Sequence, residues 1–275
     1  MSDINCRMPE VALRGLVCLP DMILHFDVNR KKSIAALKAA MVKDQMVFLV
    51  AQKDPDEEDP KQEDLYTAGA MAKVKQIVKM PENMVRVVAE GKFRAELDEM
   101  ISVSPYLLTD VIIHDREEKV ENENEAEAMR RVLEEIVQKF IDAGAKFGPE
   151  ITRQMEQAED IVKLTNQLCA NMPMRWQDRQ TLAEKMDFRE RYEELCRIME
   201  KEYDVLLINQ DIQNKVKSRL EKNQRDYVLR EQMKLIREEL GDDMQSEIDE
   251  YEKKLEELKA PDVVKEKLEK EISRF

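Results

Sequence analysis

At 275 residues the chain is long enough for one large or two small domains. Charged residues make up 38% and aromatics 5%, with only six glycines, which favours a helix-rich molecule; 43% hydrophobic residues still allow a substantial core. The net charge of −14 argues against non-specific nucleic-acid binding, which needs clustered Lys and Arg against phosphate, and fits a soluble protein that repels polyanions.

Cys6, Cys18, Cys169 and Cys196 form no CxxC pair, and only His25 and His114 are available to join them. They read as reduced, mostly buried thiols, not as a zinc site. No apolar run reaches the length of a signal peptide or a membrane span, so a cytoplasmic, soluble protein is expected.

The first hundred-odd residues alternate as strands do. Val11 and Leu13, then Met22, Leu24, Phe26 and Val28, place apolar side chains at period two on either side of a Leu19-Pro20-Asp21 turn. A helix is expected over about Lys31 to Val42, then a strand covered on both faces at Gln45–Gln52 (QMVFLVAQ). Asp54 to Asp64 holds seven acids and two prolines and reads as a solvated loop without a site. Met80 to Met84 reads as a turn between two strand arms, and Gly91 interrupts the second arm where a bulge or corner would sit. Tyr106–His114 closes the pattern, giving five or six strands with one helix: a small, mostly antiparallel sheet or partly closed barrel.

From Asp115 the composition turns acidic, and from Glu125 the period becomes helical as far as Gly144. Further helices are expected at Glu150–Gln157, Glu159–Cys169, Trp176–Met186 and Phe188–Met199, with Asp187 as N-cap and Glu190 completing a capping box. Lys201–Leu240 has neither Gly nor Pro and ends before Gly241. As one helix it would span roughly 60 Å, so part of it would have to project. Its apolar stripe lapses at Glu221–Asp226 and resumes at Tyr227, Leu229, Met233, Ile236 and Leu240, the positions expected to carry assembly or coiled-coil contacts. Two charged segments, Gln245–Lys259 and Asp262–Phe275, have thin apolar stripes suited to pairing as a hairpin, and the second ends without a stop signal, as a fragment cut at a domain boundary would. The expected organisation is therefore α+β: a β-rich domain over 1–116, a helical bundle over 117–200, and a long helix with a coiled-coil segment over 201–275.

Catalytic motifs are not found. The glycines at 15, 69, 91, 144, 148 and 241 never stand five apart as a Walker A loop needs, and neither GxSxG nor HExxH occurs. No catalytic, cofactor-binding or metal-ligating residue is singled out, which leaves a binding or structural module. The seventeen methionines are soft side chains suited to adaptable apolar surfaces, although Met also serves simply as a core residue. Met80 and Met84, with Met172 and Met174, fall at turns, and Met22 adjoins the turn at Leu19.

Three stretches carry a resemblance. VALRGLVCLPDMILHFDVNRKKSIAAL (Val11–Leu37), DLYTAGAMAKVKQIVKMPENMVRVVAEGKFRAEL (Asp64–Leu97) and RDYVLREQMKLIREELGD (Arg225–Asp242) together resemble the N-terminal region of the Lon protease (ATP-dependent protease La) family, over essentially the whole chain. The resemblance implies a PUA-like β-domain, a helical bundle and a long helix entering a coiled coil. It also implies an AAA+ ATPase, with its ATP and Mg, and a Ser–Lys protease domain beyond this chain. The parent would be an ATP-dependent serine endopeptidase, a homohexamer that removes misfolded and short-lived proteins. This piece would be its substrate-recognition and assembly region, binding unfolded or misfolded polypeptide through exposed apolar loops. Leu19, Pro20, Met22 and Ile23 at one turn, and Met80, Pro81 and Met84 at another, are the expected contact residues. The competing expectation is a purely structural coiled-coil scaffold. DNA binding through Lys215–Arg237 is disfavoured, because Glu221, Asp226 and Glu231 interrupt the basic run.

Overall fold

The alternating first part of the chain forms six strands and a helix: β1 (Ile4–Leu13), β2 (Ile23–Val28), α1 (Lys31–Val42), β3 (Met46–Gln52), β4 (Leu65–Lys79), β5 (Val85–Ser102) and β6 (Leu108–His114). The computed structural model describes residues 4–81, 83–114, 118–145, 155, 158, 160–239, 250–255, 257–258 and 261–272. The sheet order is β2-β5-β4-β3-β1-β6, and a further β5–β6 pairing closes β5, β4, β3, β1 and β6 into a ring. All pairings are antiparallel except β1 with β3. Although β1 and β2 flank the Leu19 turn, they do not pair with each other; β1 runs between β3 and β6. Closure is the reason β5 is long: its start, Val85–Glu90, carries β2, and its end, Arg94–Ser102, carries β6.

β3 is covered on both faces, as its run of apolar residues requires. Val47 and Leu49 join Phe26, Leu37 and Val87 in one core, while Phe48 and Val50 join Leu97 and Val111 in another. Gly91 sits where β5 changes partner. Met71 pairs with Phe93 and Ala72 with Gly91, so Lys92 is the extra residue of a bulge there. A Cβ on Gly91 would lie 2.0 Å from the carbonyl oxygen of Leu19, so only glycine admits the turn this closely.

The second part is helical: α2 (Glu123–Asp142), α3 (Ile161–Asn171), α4 (Trp176–Glu184), α5 (Phe188–Glu239) and α6 (Asp262–Ile272). Asn122 caps α2 through bonds to the N–H of Asn124 and Glu125, at 3.0 and 3.3 Å, and Gly144 at φ 77 ends it. Asp160 caps α3 through the N–H of Lys163 at 2.7 Å. Asp187 accepts from the N–H of Arg189 and Glu190, at 2.9 and 3.1 Å, in its expected cap role, while the Glu190 side chain takes Lys185 instead of closing a box. The helix expected over 201–240 and the one expected over 188–199 are a single helix, α5, of 52 residues. The helix expected at Glu150–Gln157 lies largely outside the described residues, as does much of Gln245–Lys259.

The chain packs as two compact units, Met1–Leu207 and Ile208–Phe275. In the first, the barrel residues Val17, Leu19, Ala51 and Ala68 share one core cluster with Leu133, Phe140, Leu168 and Leu195 of the helices. Gln180 of α4 donates to the carbonyl of Ala68 at 3.1 Å, and Arg94 of β5 to that of Leu182 at 3.2 Å. The expected boundary at 116/117 thus separates two kinds of secondary structure within one packing unit. In the second unit every described side chain from Asp211 to Ile236 is exposed.

Candidate functional site

The Leu19–Met22 turn closes with the N–H of Met22 on the Leu19 carbonyl at 3.2 Å and Asp21 at φ 62. It is stapled to the β5 bulge at both ends: Asp21 N–H to Gly91 O at 3.1 Å, and Gly91 N–H to Met22 O at 2.9 Å. Leu19 is 1% exposed and belongs to the shared core. Its expected place on a contact surface is therefore corrected: the bulge draws this side chain inward to hold barrel and helices together. Met22 is half-buried and packs against two cores, Pro20 is half-buried, and Ile23 is 63% exposed.

Pro20 and Asp21 form one wall of an open cleft of about 550 Å³, with Phe93 and Arg94 of β5 beside them and Asn166 and Met186 on the helical side. One buried guanidinium group, Arg94, lines it, and the charge of a second, Arg191, acts on the first. Arg94 is 7% exposed and donates to Asn166 Oδ1 at 3.5 Å as well as to Leu182; burial first, and the charge of Arg191 second, push its pKa down to about 10. Arg191 is wholly buried, donates to the carbonyls of Lys185 and Met186 at 3.0 and 3.2 Å, and pairs with Glu118. At the rim, His114 Nε2 lies 2.8 Å from Glu96. These arginines tie strand, loop and helix together, and Arg94 lines the cleft.

The second expected contact segment is a hairpin tip. Met80 N–H reaches Met84 O at 2.9 Å and Asn83 takes φ 57; Pro81 is exposed, whereas Met80 and Met84 are half-buried. The two segments are not brought together. Ile23 pairs with Glu90 and Val28 with Val85, so the Leu19–Ile23 turn and the Met80–Met84 tip sit at opposite ends of β2. Five residue-to-residue steps of strand separate those ends, about 17 Å. Met172, another turn methionine, is 2% exposed and serves the core. In the second unit Tyr227, Leu229, Met233 and Ile236 are 64%, 49%, 56% and 54% exposed, so α5 carries an apolar stripe open to solvent; Leu240 lies outside the described residues.

Among the described residues, no group of three or more His, Cys, Asp or Glu is placed to hold a metal ion, and no helix is long and apolar enough to cross a membrane. The four cysteines are free. Burial pushes the Cys18 thiol up to about 12 and Cys169 up to about 11, leaving both as inert core thiols. One buried acid escapes the strand pattern of the sequence. Glu10 of β1 is wholly buried, accepts a short bond from the Thr109 hydroxyl, and burial pushes its pKa up to about 7. Its only sequence signal is an acid between Pro9 and an apolar run, which does not distinguish it from an exposed strand residue.

A mixed barrel sharing its core with helices defines a β-domain-plus-helices fold. Residues 7–201 match the family model for the ATP-dependent protease La (LON) substrate-binding domain, and the chain belongs to that family. It is similar to Lon protease of Lachnoclostridium phytofermentans, at 43% identity over 276 residues, covering 100% of this chain and 34% of that protein. Lon protease of Escherichia coli strain K12 is 34% identical over 277 residues, with 98% and 34% covered. The chain thus spans about a third of the length of the curated relatives it matches. The fold is similar to that of a solved N-terminal domain of Mycobacterium avium complex Lon protease, with a TM-score of 0.54 at 16% identity, covering 71% of this chain and 98% of that one.

Proposed function

We propose that this chain is the client-binding and assembly region of an ATP-dependent protease, and that its client surface is the Pro20–Ile23 end of the barrel with the adjoining cleft. The observation that carries this reading is the 63% exposure of Ile23, two residues along from cleft-lining Asp21, within the span matched by a substrate-binding family model. Unfolded polypeptide differs from folded protein in exposing apolar side chains; Pro20, Phe93 and Met186 offer apolar partners in the cleft, and Ile23 adds an exposed one two residues beyond cleft-lining Asp21. A surface this small supports weak contacts, about 4 kcal/mol or a Kd near 1 mM. Six copies in one ring would raise the effective concentration enough for such contacts to retain a client. ATP hydrolysis, with its Mg, and Ser–Lys proteolysis would be supplied by the rest of the whole protein, in the cytoplasm.

NMR titration of the chain with an unfolded polypeptide tests the surface. Shifts should map to Pro20–Ile23 and Phe93, and Ile23→Ser should weaken binding at least threefold without lowering Tm. No perturbation at those residues would remove this site from consideration. The second reading, a structural scaffold, is favoured by the solvent-open stripe of Tyr227, Leu229, Met233 and Ile236, which suits helix pairing between copies. A pull-down separates the two: client binding requires preference for unfolded over folded protein, and a scaffold shows none.

A further inference from the structure

Ring closure gives five of the six strands a neighbour on each side; among the described strands β2 alone has a single neighbour, β5. One bond fixes which side of β2 turns outward. Gly91 N–H donates to the Met22 carbonyl at 2.9 Å, so that carbonyl points at β5. The N–H of Ile23, across the same trans peptide, therefore points away. Main-chain groups alternate along a strand, so Ile23, His25 and Asp27 turn N–H and C=O outward while Leu24, Phe26 and Val28 turn theirs to β5. No described residue bonds the outward groups.

Natural sheets close such an edge with Pro, Lys, a bulge or a covering element. β2, with the sequence ILHFDV, has no Pro or Lys, and its register runs unbroken from Ile23–Glu90 to Val28–Val85. Its one acid does not guard the edge, because Arg86 of β5 holds Asp27 through bonds of 2.8 and 2.9 Å. The side chains of Ile23, His25 and Asp27 are exposed, so no described element covers that row. The edge starts two residues beyond cleft-lining Asp21 and ends at a recess that Phe26, Asp27 and Val28 share with Val11 and Leu13.

We propose that an extended segment of unfolded polypeptide adds to this edge as a further strand, its main chain bonding Ile23, His25 and Asp27. The added strand presupposes the client-binding reading and gives it its selectivity. In a folded protein the main-chain groups are already bonded, so only an unfolded segment can offer them in extended form. Main-chain bonds are indifferent to sequence, which suits a surface that takes many clients. Exposed Ile23 would lie beside a side chain of the added strand and favour an apolar one there. A second copy of this chain, itself at −14, is repelled from the same edge.

The test is amide hydrogen exchange and NMR titration of the 275-residue chain with an apolar unfolded peptide and with the same peptide N-methylated along its length. Exchange should slow at Ile23, His25 and Asp27 and stay unchanged at Leu24, Phe26 and Val28, whose N–H groups already face β5. The N-methylated peptide keeps every side chain but cannot donate, and should bind at least tenfold more weakly. His25→Pro should weaken binding similarly with Tm unchanged, since the N–H it removes faces away from β5. The peptide pair needs no variant and decides the matter by itself. Equal binding of both peptides, or protection without this alternation, overturns the added strand and leaves the client surface in place. Binding of neither peptide overturns both. Protection of the three amides that rises with chain concentration alone, with a doubled molar mass, identifies a second copy as the occupant and overturns the proposal.

Discussion

Glu10 shows what a single buried acid does to a small barrel. It sits between β3 and β6 with one carboxylate oxygen on the Thr109 hydroxyl and the other without a partner. Burial raises its pKa from 4.5 to about 7, so the folded state binds the proton more tightly than the unfolded chain. The resulting stability is fully present below about pH 4.5 and is lost as pH rises through 7. The cost of ionising it amounts to roughly 3 kcal/mol at most. Glu10→Gln should therefore change Tm little at pH 5 and raise it at pH 8; denaturation curves at the two pH values check this. An equal shift at both would mean that Glu10 ionises freely.

At the scale of elements, the β5 bulge is the controlling device, because it holds the Leu19 turn and marks the change of partner from β2 to β6. Gly91→Ala would drive a methyl into the Leu19 carbonyl, costing about 3 kcal/mol or more because backbone must move. Leu19→Ala leaves the turn intact but empties a core position, costing about 2–5 kcal/mol. Urea unfolding of both variants should show losses of this size, and near-wild-type stability for either would contradict the stapled geometry. Local signals made many elements legible: the 3.6 period of Lys31–Val42, Asp187 as a cap, and Gly91 as a corner could all be read in order along the chain. The facing of Leu19 could not, since a turn residue goes in or out according to a bulge seventy residues away.

At the scale of the whole molecule, the shared core makes the barrel and helices through Leu207 one cooperative body. A chain ending at residue 207 should unfold in a single calorimetric transition, with the van't Hoff and calorimetric enthalpies equal. Two resolved transitions would instead show independent domains meeting near residue 116. A chain ending at residue 116 would lose the partners of Val17, Leu19, Ala51 and Ala68 and leave that apolar surface to water.

The ring closure also imposes an order on synthesis. β1 leaves the ribosome before the other five strands, yet one of its two neighbours is β6: Arg7 finds Asp110, 103 residues later. At 5–20 residues per second that is a wait of about 5–20 s. During that interval the outer edge of β1 has no strand to pair with, and the Val17–Leu19 face waits longer still for helices whose buried core residues run to Met199. A region proposed to hold other proteins' unfolded segments is thus itself, while nascent, an unfolded segment with an open strand edge. Its newborn copies would present to completed neighbours the kind of apolar chain that those neighbours are proposed to bind.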